Sequence, residues 1–282
     1  MRGHPERIEI KSEDQIAKMR CAGLVVARAL SEMRAAVAPG VSTADLDDVA
    51  RGVLRDEGAT SSFLGYDIGS GPYPAVICAS VNDRIVHGIP SSGEKLAEGD
   101  LISIDFGAIV EGWHGDAAVT VAVGDVRREA RELSEACERS LWDGLAVARS
   151  GARLTDISHA VESSVHSSGR YGIVAGYGGH GIGSRMHMDP HILNYGRAGK
   201  GPRLVPGMAL AIEPMLTLGT RNTRELNDGW TVVTVDGSWA AHWEHTVAIL
   251  EDGPWVLTAE DGGRAELAKR GVTLSALSAS AA

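Results

Sequence analysis

Cysteine, net positive charge and long apolar runs are all scarce in this 282-residue chain, and each shortage removes a class of protein. The three cysteines, Cys21, Cys78 and Cys137, are odd in number, far apart and without a CxxC pair. Such usage suits a reducing cytoplasm and argues against a disulfide framework. A net charge of −10 argues against a general nucleic-acid or anionic-membrane binder. No apolar run approaches the ~20 residues that span a bilayer. The opening MRGHPERIEIKSEDQ is charged from its second residue and lacks the apolar core of a secretory signal. The expectation is a soluble, cytoplasmic protein. No Pro-rich or Ser-rich linker divides it. What remains is ordinary globular composition, 44% hydrophobic and 23% charged, over a length sufficient for a sizeable core.

Apolar residues at helical spacing (Ile16, Met19, Ala22, Val26, Ala29, Leu30, Met33) predict a long amphipathic helix from 12 to about 37. Pro39-Gly40 ends it. Ser42, with Asp45 three residues on, opens a second helix that runs to about 56. The pattern then recurs. Residues 127–149 read as helix, Gly151 breaks it, and Thr155 begins another that reaches about 167. Residues 40–46 overlay 151–157 at an offset of 111, matching the glycine, the acid and the apolar residue after it. Strand-like segments follow each helical pair, at 75–81, 101–110, 113–123, 208–217, 230–235 and 239–250. Glu111-Gly112 and Asp236-Gly237 sit where two β-hairpins would turn. The expected architecture is one continuous α+β domain over 1–282, with pseudo-symmetric halves at about 12–123 and 127–250. The tail at 275–282 is expected to fray.

Five side chains with metal-binding chemistry punctuate the second two-thirds of the chain: Asp105, Asp116, His180, Glu213 and Glu244. Four carboxylates gathered in one fold repel one another unless cations bridge them. With one imidazole they make a hard-oxygen site suited to two divalent metals. In the first hairpin Val110 faces Trp113 and Asp105 faces Ala118. Asp116 is then a diagonal neighbour of Asp105, roughly 5 to 8 Å away on the same face. Their apolar surroundings make unpaired burial costly, although two acids on a solvated sheet face would read alike. His180 lies among Gly176, Gly178, Gly179, Gly181 and Gly183, where a lone imidazole is more often a structural turn residue; His187, a second imidazole nearby, strengthens the case for a ligand. Glu213 interrupts an apolar run before Pro214, which favours pairing with a metal. Glu244 shares strand parity with His242 and Thr246, so a polar face stays open as an alternative. His87 falls in a turn after the 75–81 strand, and its neighbours read as those of a surface histidine.

Together these segments resemble the type I methionine aminopeptidases, dinuclear metallopeptidases of the pita-bread fold. The likeness extends from about Ile8 to Thr258. It rests on VHGIP around His87, SIDFG and HGDAA at the two aspartates, GGHGIG at His180, IEP at Glu213 and WEHT at Glu244. The intervals between the five residues, 11, 64, 33 and 31, are also similar. The resemblance implies an antiparallel sheet carrying two pseudo-symmetric helix pairs. It implies Asp105, Asp116, His180, Glu213 and Glu244 as ligands of two divalent ions, with iron, cobalt, manganese and zinc all suited. Glu213 is implied as proton acceptor for the attacking water, His187 as a hydrogen-bond partner of the carbonyl oxygen and His87 as a contact to the scissile amide nitrogen. Phe63, Tyr66, Tyr73, Cys78, Met186 and Trp230 are implied to line a narrow pocket for the unbranched methionine thioether. The implied activity is removal of the initiator methionine from nascent proteins before a small second residue. The implied agent is a cytoplasmic monomer that meets the ribosome transiently and binds neither membrane nor specific nucleic acid.

The chain departs from the family pattern at the pocket rim. Met186 stands where many relatives carry an aromatic, Phe63 where many carry a cysteine, and the loop at 67–72 is longer. These changes bear on stringency and leave the metal chemistry intact. A proline-specific aminopeptidase or dipeptidase of the same fold shares all five ligand types, but such relatives usually carry an additional N-terminal domain for which this chain has no room. A non-catalytic binding protein on the same scaffold is the other alternative; retention of every ligand and both imidazoles speaks against it.

Overall fold

The computed structural model describes residues 8–280. Its helices are α1 (Glu13–Ala36), α2 (Thr43–Asp56), α3 (Arg128–Val147), α4 (Leu154–Ser168), α5 (Arg264–Lys269) and α6 (Leu277–Ser280). The first strands are β1 (Thr60–Ser61), β2 (Ile77–Val81), β3 (Arg84–Val86), β4 (Leu101–Val110) and β5 (Trp113–Ala122). After α4 come β6 (Gly172–Ile173), β7 (Gly178–Gly181), β8 (Met188–Leu193), β9 (Ala209–Ile212) and β10 (Met215–Thr217). The last are β11 (Thr223–Glu225), β12 (Val232–Thr234), β13 (Ala240–His242), β14 (Glu244–Ile249) and β15 (Pro254–Val256).

The repeat seen in the sequence is a repeat of hydrogen bonds. Before α2, Ser42 N–H donates to Asp45 at 2.8 Å; before α4, Arg153 N–H donates to Asp156 at 2.7 Å. Each acid meets an amide that the helix itself leaves unpaired. Gly40 N–H reaches Leu96 O at 2.7 Å and Gly151 N–H reaches Leu204 O at 2.9 Å. The return bonds, Leu96 to Val41 and Leu204 to Ala152, are both 2.8 Å. Two halves are thus tied down in the same way.

Under the helix pairs, the main sheet is antiparallel and has nine strands, in the order β1-β4-β5-β14-β9-β7-β8, with β2 also on β4 and β15 also on β14. Glu111 (φ 49°) and Gly112 (φ 81°) form a two-residue turn whose positive dihedrals match the twist of the β4–β5 hairpin. The predicted register holds: Val110 opposes Trp113 and Asp105 opposes Ala118. Ile102, Ile104, Phe106 and Ala108 of β4 pack under α1 and α2. Leu210 and Ile212 of β9, with Val247 and Ile249 of β14, pack under α3 and α4. Alternation along each strand sends the residues between them to the opposite face, away from the helices.

Three expectations need correction. Residues 230–235 and 239–250 are not a hairpin, because β12 pairs with β11 and β3 whereas β13 pairs with β10. The later run is cut at Trp243, whose N–H donates to Pro214 O at 3.3 Å, and β14 beyond it joins the main sheet. The run at 208–217 divides likewise at Glu213-Pro214 into β9 and β10, since proline has no N–H to continue a ladder. At the start of the tail Ser275 is buried, its N–H donates to Pro254 O at 3.3 Å, and Leu277 packs beside Trp255. Residues 281–282 lie outside the described residues. Among the described residues no helix is long and apolar enough to cross a membrane.

Candidate metal centre

Five neighbouring strands each supply one metal-type side chain. In the order β4-β5-β14-β9-β7 these are Asp105, Asp116, Glu244, Glu213 just beyond β9, and His180. Register puts them on one face. Asp105 opposes Ala118, and Ala118 opposes Glu244 on its other side. Asp116 is two residues from Ala118 and so emerges on the same face. Thr246 opposes Ala211, Ala211 opposes His180, and Glu213 follows Ala211 by two. His180 was read as lying in a turn, yet it belongs to a strand. The glycines are what let β7 insert between β9 and β8: an added Cβ at Gly179 would sit 2.1 Å from Ala211 O, and one at Gly181 would sit 2.2 Å from Asp189 O.

The distances leave room for cations. His180 Nε2 is 3.5 Å from Glu213 Oε1 and 4.0 Å from Asp116 Oδ2. His242 Nε2 is 3.8 Å from both Glu213 Oε2 and Glu244 Oε2. Asp116, His180 and Glu244 offer donor atoms within 4.8 Å of one another, and so do Glu213, His242 and Glu244. Burial pushes Asp105, Glu213 and Glu244 well above the usual carboxylate range, and the charge of Asp116 pushes each further. Asp116 itself is raised by burial to about 7. Burial lowers His180 and His242 to about 3. Acids that resist ionising beside imidazoles that resist protonation mark a pocket short of positive charge.

Unpaired atoms point the same way. Six buried side-chain nitrogens or oxygens have no hydrogen-bond partner among the described residues, and four are here: Asp105 Oδ1, Asp116 Oδ1, His242 Nε2 and Glu244 Oε1. Each orphan costs about 1–3 kcal/mol. A divalent metal would satisfy them together, and oxygen donors with imidazole nitrogen suit such an ion. His242 was read only as a polar neighbour of Glu244. Their shared strand parity was the signal available.

Beside the acids lies a cavity of about 80 Å³. It is lined by all five predicted ligands, by His87 and His187, and by Phe63, Tyr66, Tyr73, Cys78, Met186 and Trp230; Ile68, Val86 and His242 had not been singled out. Phe63, Tyr73, Cys78, Met186 and Trp230 are buried together as one apolar cluster, with Tyr66 packed against it. Tyr73 meets Trp230 edge-on at 5.1 Å between ring centroids and donates its hydroxyl proton toward Ile77 O and Gly88 O at 2.9 and 3.0 Å. Asp228 seats the tryptophan by accepting from the amides of Trp230 and Thr231 at 2.9 and 2.8 Å. Cys78 opposes Asp105 on β2, which joins this wall to the acids.

The two other imidazoles stand across the cavity. His87 is half-buried between Tyr177 and Trp230, not a surface residue. Its φ of 60° is left-handed, a conformation that costs a non-glycine residue about 1–3 kcal/mol and recurs at functional sites. Burial lowers it to about 4. His187 sits at the open side, 4.4 Å from His180 between ring centroids, and partial desolvation lowers it too. Its Nδ1 lies 2.6 Å from the Tyr66 hydroxyl.

Buried carboxylates and imidazoles on the inner face of a curled antiparallel sheet backed by two helix pairs define a metal-dependent hydrolase. Residues 17–251 match the model of metallopeptidase family M24. The chain belongs to that family. It is 56% identical over 253 residues to methionine aminopeptidase 1 of Mycobacterium tuberculosis (strain CDC 1551 / Oshkosh), a match that covers 88% of this chain and 94% of that protein. The crystal structure of methionine aminopeptidase from Thermotoga maritima superposes with a TM-score of 0.87 at 40% identity, covering 90% of this chain and all 100% of that one. Prolidase from Pyrococcus furiosus has a TM-score of 0.71 at 21% identity, with 89% of this chain and 65% of that one covered. That likeness is one of fold.

Proposed function

We infer that the protein is a metal-dependent exopeptidase that removes N-terminal methionine from peptides and nascent proteins. One observation carries the inference: metal-type donors from five adjacent strands share a single cavity with a buried cluster of aromatic and sulfur side chains. Asp105, Asp116, His180, Glu213 and Glu244 would hold two divalent ions, with iron, cobalt, manganese and zinc all suited. Bound there, the ions would bring water toward ionisation near neutral pH and polarise a carbonyl.

The protein's own groups do the rest. Glu213 accepts the proton released as water attacks the first peptide carbonyl. The Tyr66 hydroxyl, whose proton burial retains, donates to His187 Nδ1 and so leaves the imidazole proton on Nε2. That N–H is oriented to donate to the substrate carbonyl oxygen as negative charge develops on it. His87, neutral over the physiological range, accepts from the scissile amide N–H. Phe63, Tyr66, Tyr73, Cys78, Met186 and Trp230 receive the thioether. Sulfur–aromatic contacts contribute roughly 0.3–1.5 kcal/mol and a mis-sized side chain loses about 1–3 kcal/mol, together a few hundredfold in selectivity. The next residue faces the open side past His187, where a small one is preferred. The whole chain is one catalytic domain, acting as a cytoplasmic monomer on N-termini that emerge from the ribosome.

The proline-specific reading draws on fold alone, whereas relatives at 40–56% identity are methionine aminopeptidases. The test is metal analysis of the purified protein with hydrolysis of Met-Ala-Ser set against Xaa-Pro dipeptides. Metal-dependent release of methionine is expected. Cleavage confined to Xaa-Pro peptides would overturn the assignment.

A further inference from the structure

The chemistry above leaves one buried polar side chain of the cavity without a task. His242 closes β13, opposite Met215 of β10, and is 2% exposed. Its backbone is pinned on both sides. The N–H donates to Thr120 Oγ1 at 3.0 Å and Ser103 Oγ at 3.2 Å, and the carbonyl accepts from Thr120 Oγ1 at 2.7 Å. With the main chain held, the imidazole lines the cavity, and its Nε2 is sealed from solvent without a hydrogen-bond partner. A histidine that only filled core space would find a partner for that nitrogen.

Two carboxylate oxygens approach it. Glu213 Oε2 and Glu244 Oε2 are each 3.8 Å away, beyond hydrogen-bond range. Two donors that each sit about 2.1 Å from a common cation can be at most roughly 4.2 Å apart, so one ion can touch both members of either pair. We propose that His242 is itself a metal ligand, whose Nε2 holds a divalent cation together with the Glu213 and Glu244 carboxylates. The proposal rests on the metal reading of the cavity and adds to it a sixth donor. With it, the cluster contains two overlapping groups of one nitrogen and two carboxylates, Asp116–His180–Glu244 and Glu213–His242–Glu244, which share Glu244 and lie beside Asp105. The centre then has two imidazoles in place of one. The added nitrogen shifts preference toward cobalt, iron or zinc and away from manganese, which favours oxygen ligands.

Cobalt(II) is the probe that reports donor type. The full-length protein, stripped of metal, is titrated with Co2+ by calorimetry and by visible d–d absorption, alongside His242→Ala and the size-conserving His242→Gln. Both variants should weaken one Co2+ binding step at least about tenfold and alter the d–d band. A further reading needs no variant: the proton NMR spectrum of the Co2+-loaded wild type should contain shifted imidazole N–H signals from two histidines, His180 and His242. Titrations and spectra that are the same in all three proteins, or a single shifted imidazole, would overturn the assignment of His242 while leaving the metal centre in place. A fall in turnover with Co2+ binding unchanged would do so too, by making His242 a substrate contact. Failure of the wild type to bind Co2+ at all would remove both readings.

Discussion

Metal-free protein should lose stability as pH rises from acid to neutral, and Asp116 lets the size be worked out. Its carboxyl is 2% exposed, and burial raises it from the ordinary 3.8 to about 7. Because the folded value is the higher one, the group's contribution is complete below the unfolded value and is lost as pH climbs through the folded one. The window runs from near 4 to near 7. About 3 pH units at roughly 1.4 kcal/mol each give a loss of about 4 kcal/mol. For a chain of this length, at about 2 °C per kcal/mol, that is about 8 °C in Tm. Asp116→Asn keeps the shape and removes the charge, and it also relieves Asp105, Glu213 and Glu244, which that charge pushes up. The check is thermal melting of metal-stripped wild type and variant from pH 4.5 to 8. The two should melt together near the acid end, and the variant should lead by several degrees at pH 8. Added divalent metal should then reverse the ranking, since only the intact donor set gains from it. A gap that does not change with pH, or a metal-free wild type as stable as the variant at pH 8, would refute the reasoning.

His187→Ala removes one donor to the developing oxyanion and should lower kcat by about 10²–10³ with metal content unchanged by elemental analysis; loss of metal would make His187 a ligand instead. Tyr66→Phe deletes the hydroxyl proton that orients His187, so kcat should fall about tenfold with little change in KM, and an undiminished kcat would discard the tautomer argument. Trp230→Ala opens the apolar wall and should lower kcat/KM for methionyl and norleucyl peptides alike, by about 10–200-fold. Selective loss for only one of those two near-isosteres would point to a role other than shape.

Much of this was legible because strand pairing is local. The β4–β5 register follows from a two-residue turn, so Asp105 and Asp116 could be put on one face from spacing alone. Helix starts were legible for the same reason, since Asp45 and Asp156 cap amides only three residues away. What failed was non-local. Nothing in 239–250 announces that Trp243 will bond Pro214 and split the run between two sheets. The glycines around His180 look like a turn until the neighbouring backbones they admit are in place. His87 read as a surface residue because its partners Tyr177 and Trp230 arrive from 90 and 143 residues away in the chain. Local composition carries no hint of either approach.

The positions between the donors carry as much of the centre as the donors do. Ala118 separates Asp105 from Glu244, Ala211 separates Thr246 from His180, and Gly107 stands opposite Asp116. A leucine at Ala118 or Ala211 would crowd the face where the carboxylates converge, and even a Cβ at Gly107 would meet Ser62 and Phe63 at 2.8 and 2.9 Å. Thr246 bridges the two central strands through Asp116 itself, accepting from its N–H at 3.1 Å and donating to its carbonyl at 2.8 Å. From the helix layer, Cys137 Sγ lies within reach of Pro214 O at 3.1 Å and Ala241 O at 3.4 Å, next to Glu213 and His242. The thiol is buried, and burial raises it above its ordinary value, so it remains a donor rather than a reactive thiolate. Each donor is therefore held by ladder bonds or by the helix layer rather than by the others. Like-charged carboxylates stay close only in such a frame, because their repulsion is offset by packing and hydrogen bonds elsewhere in the molecule.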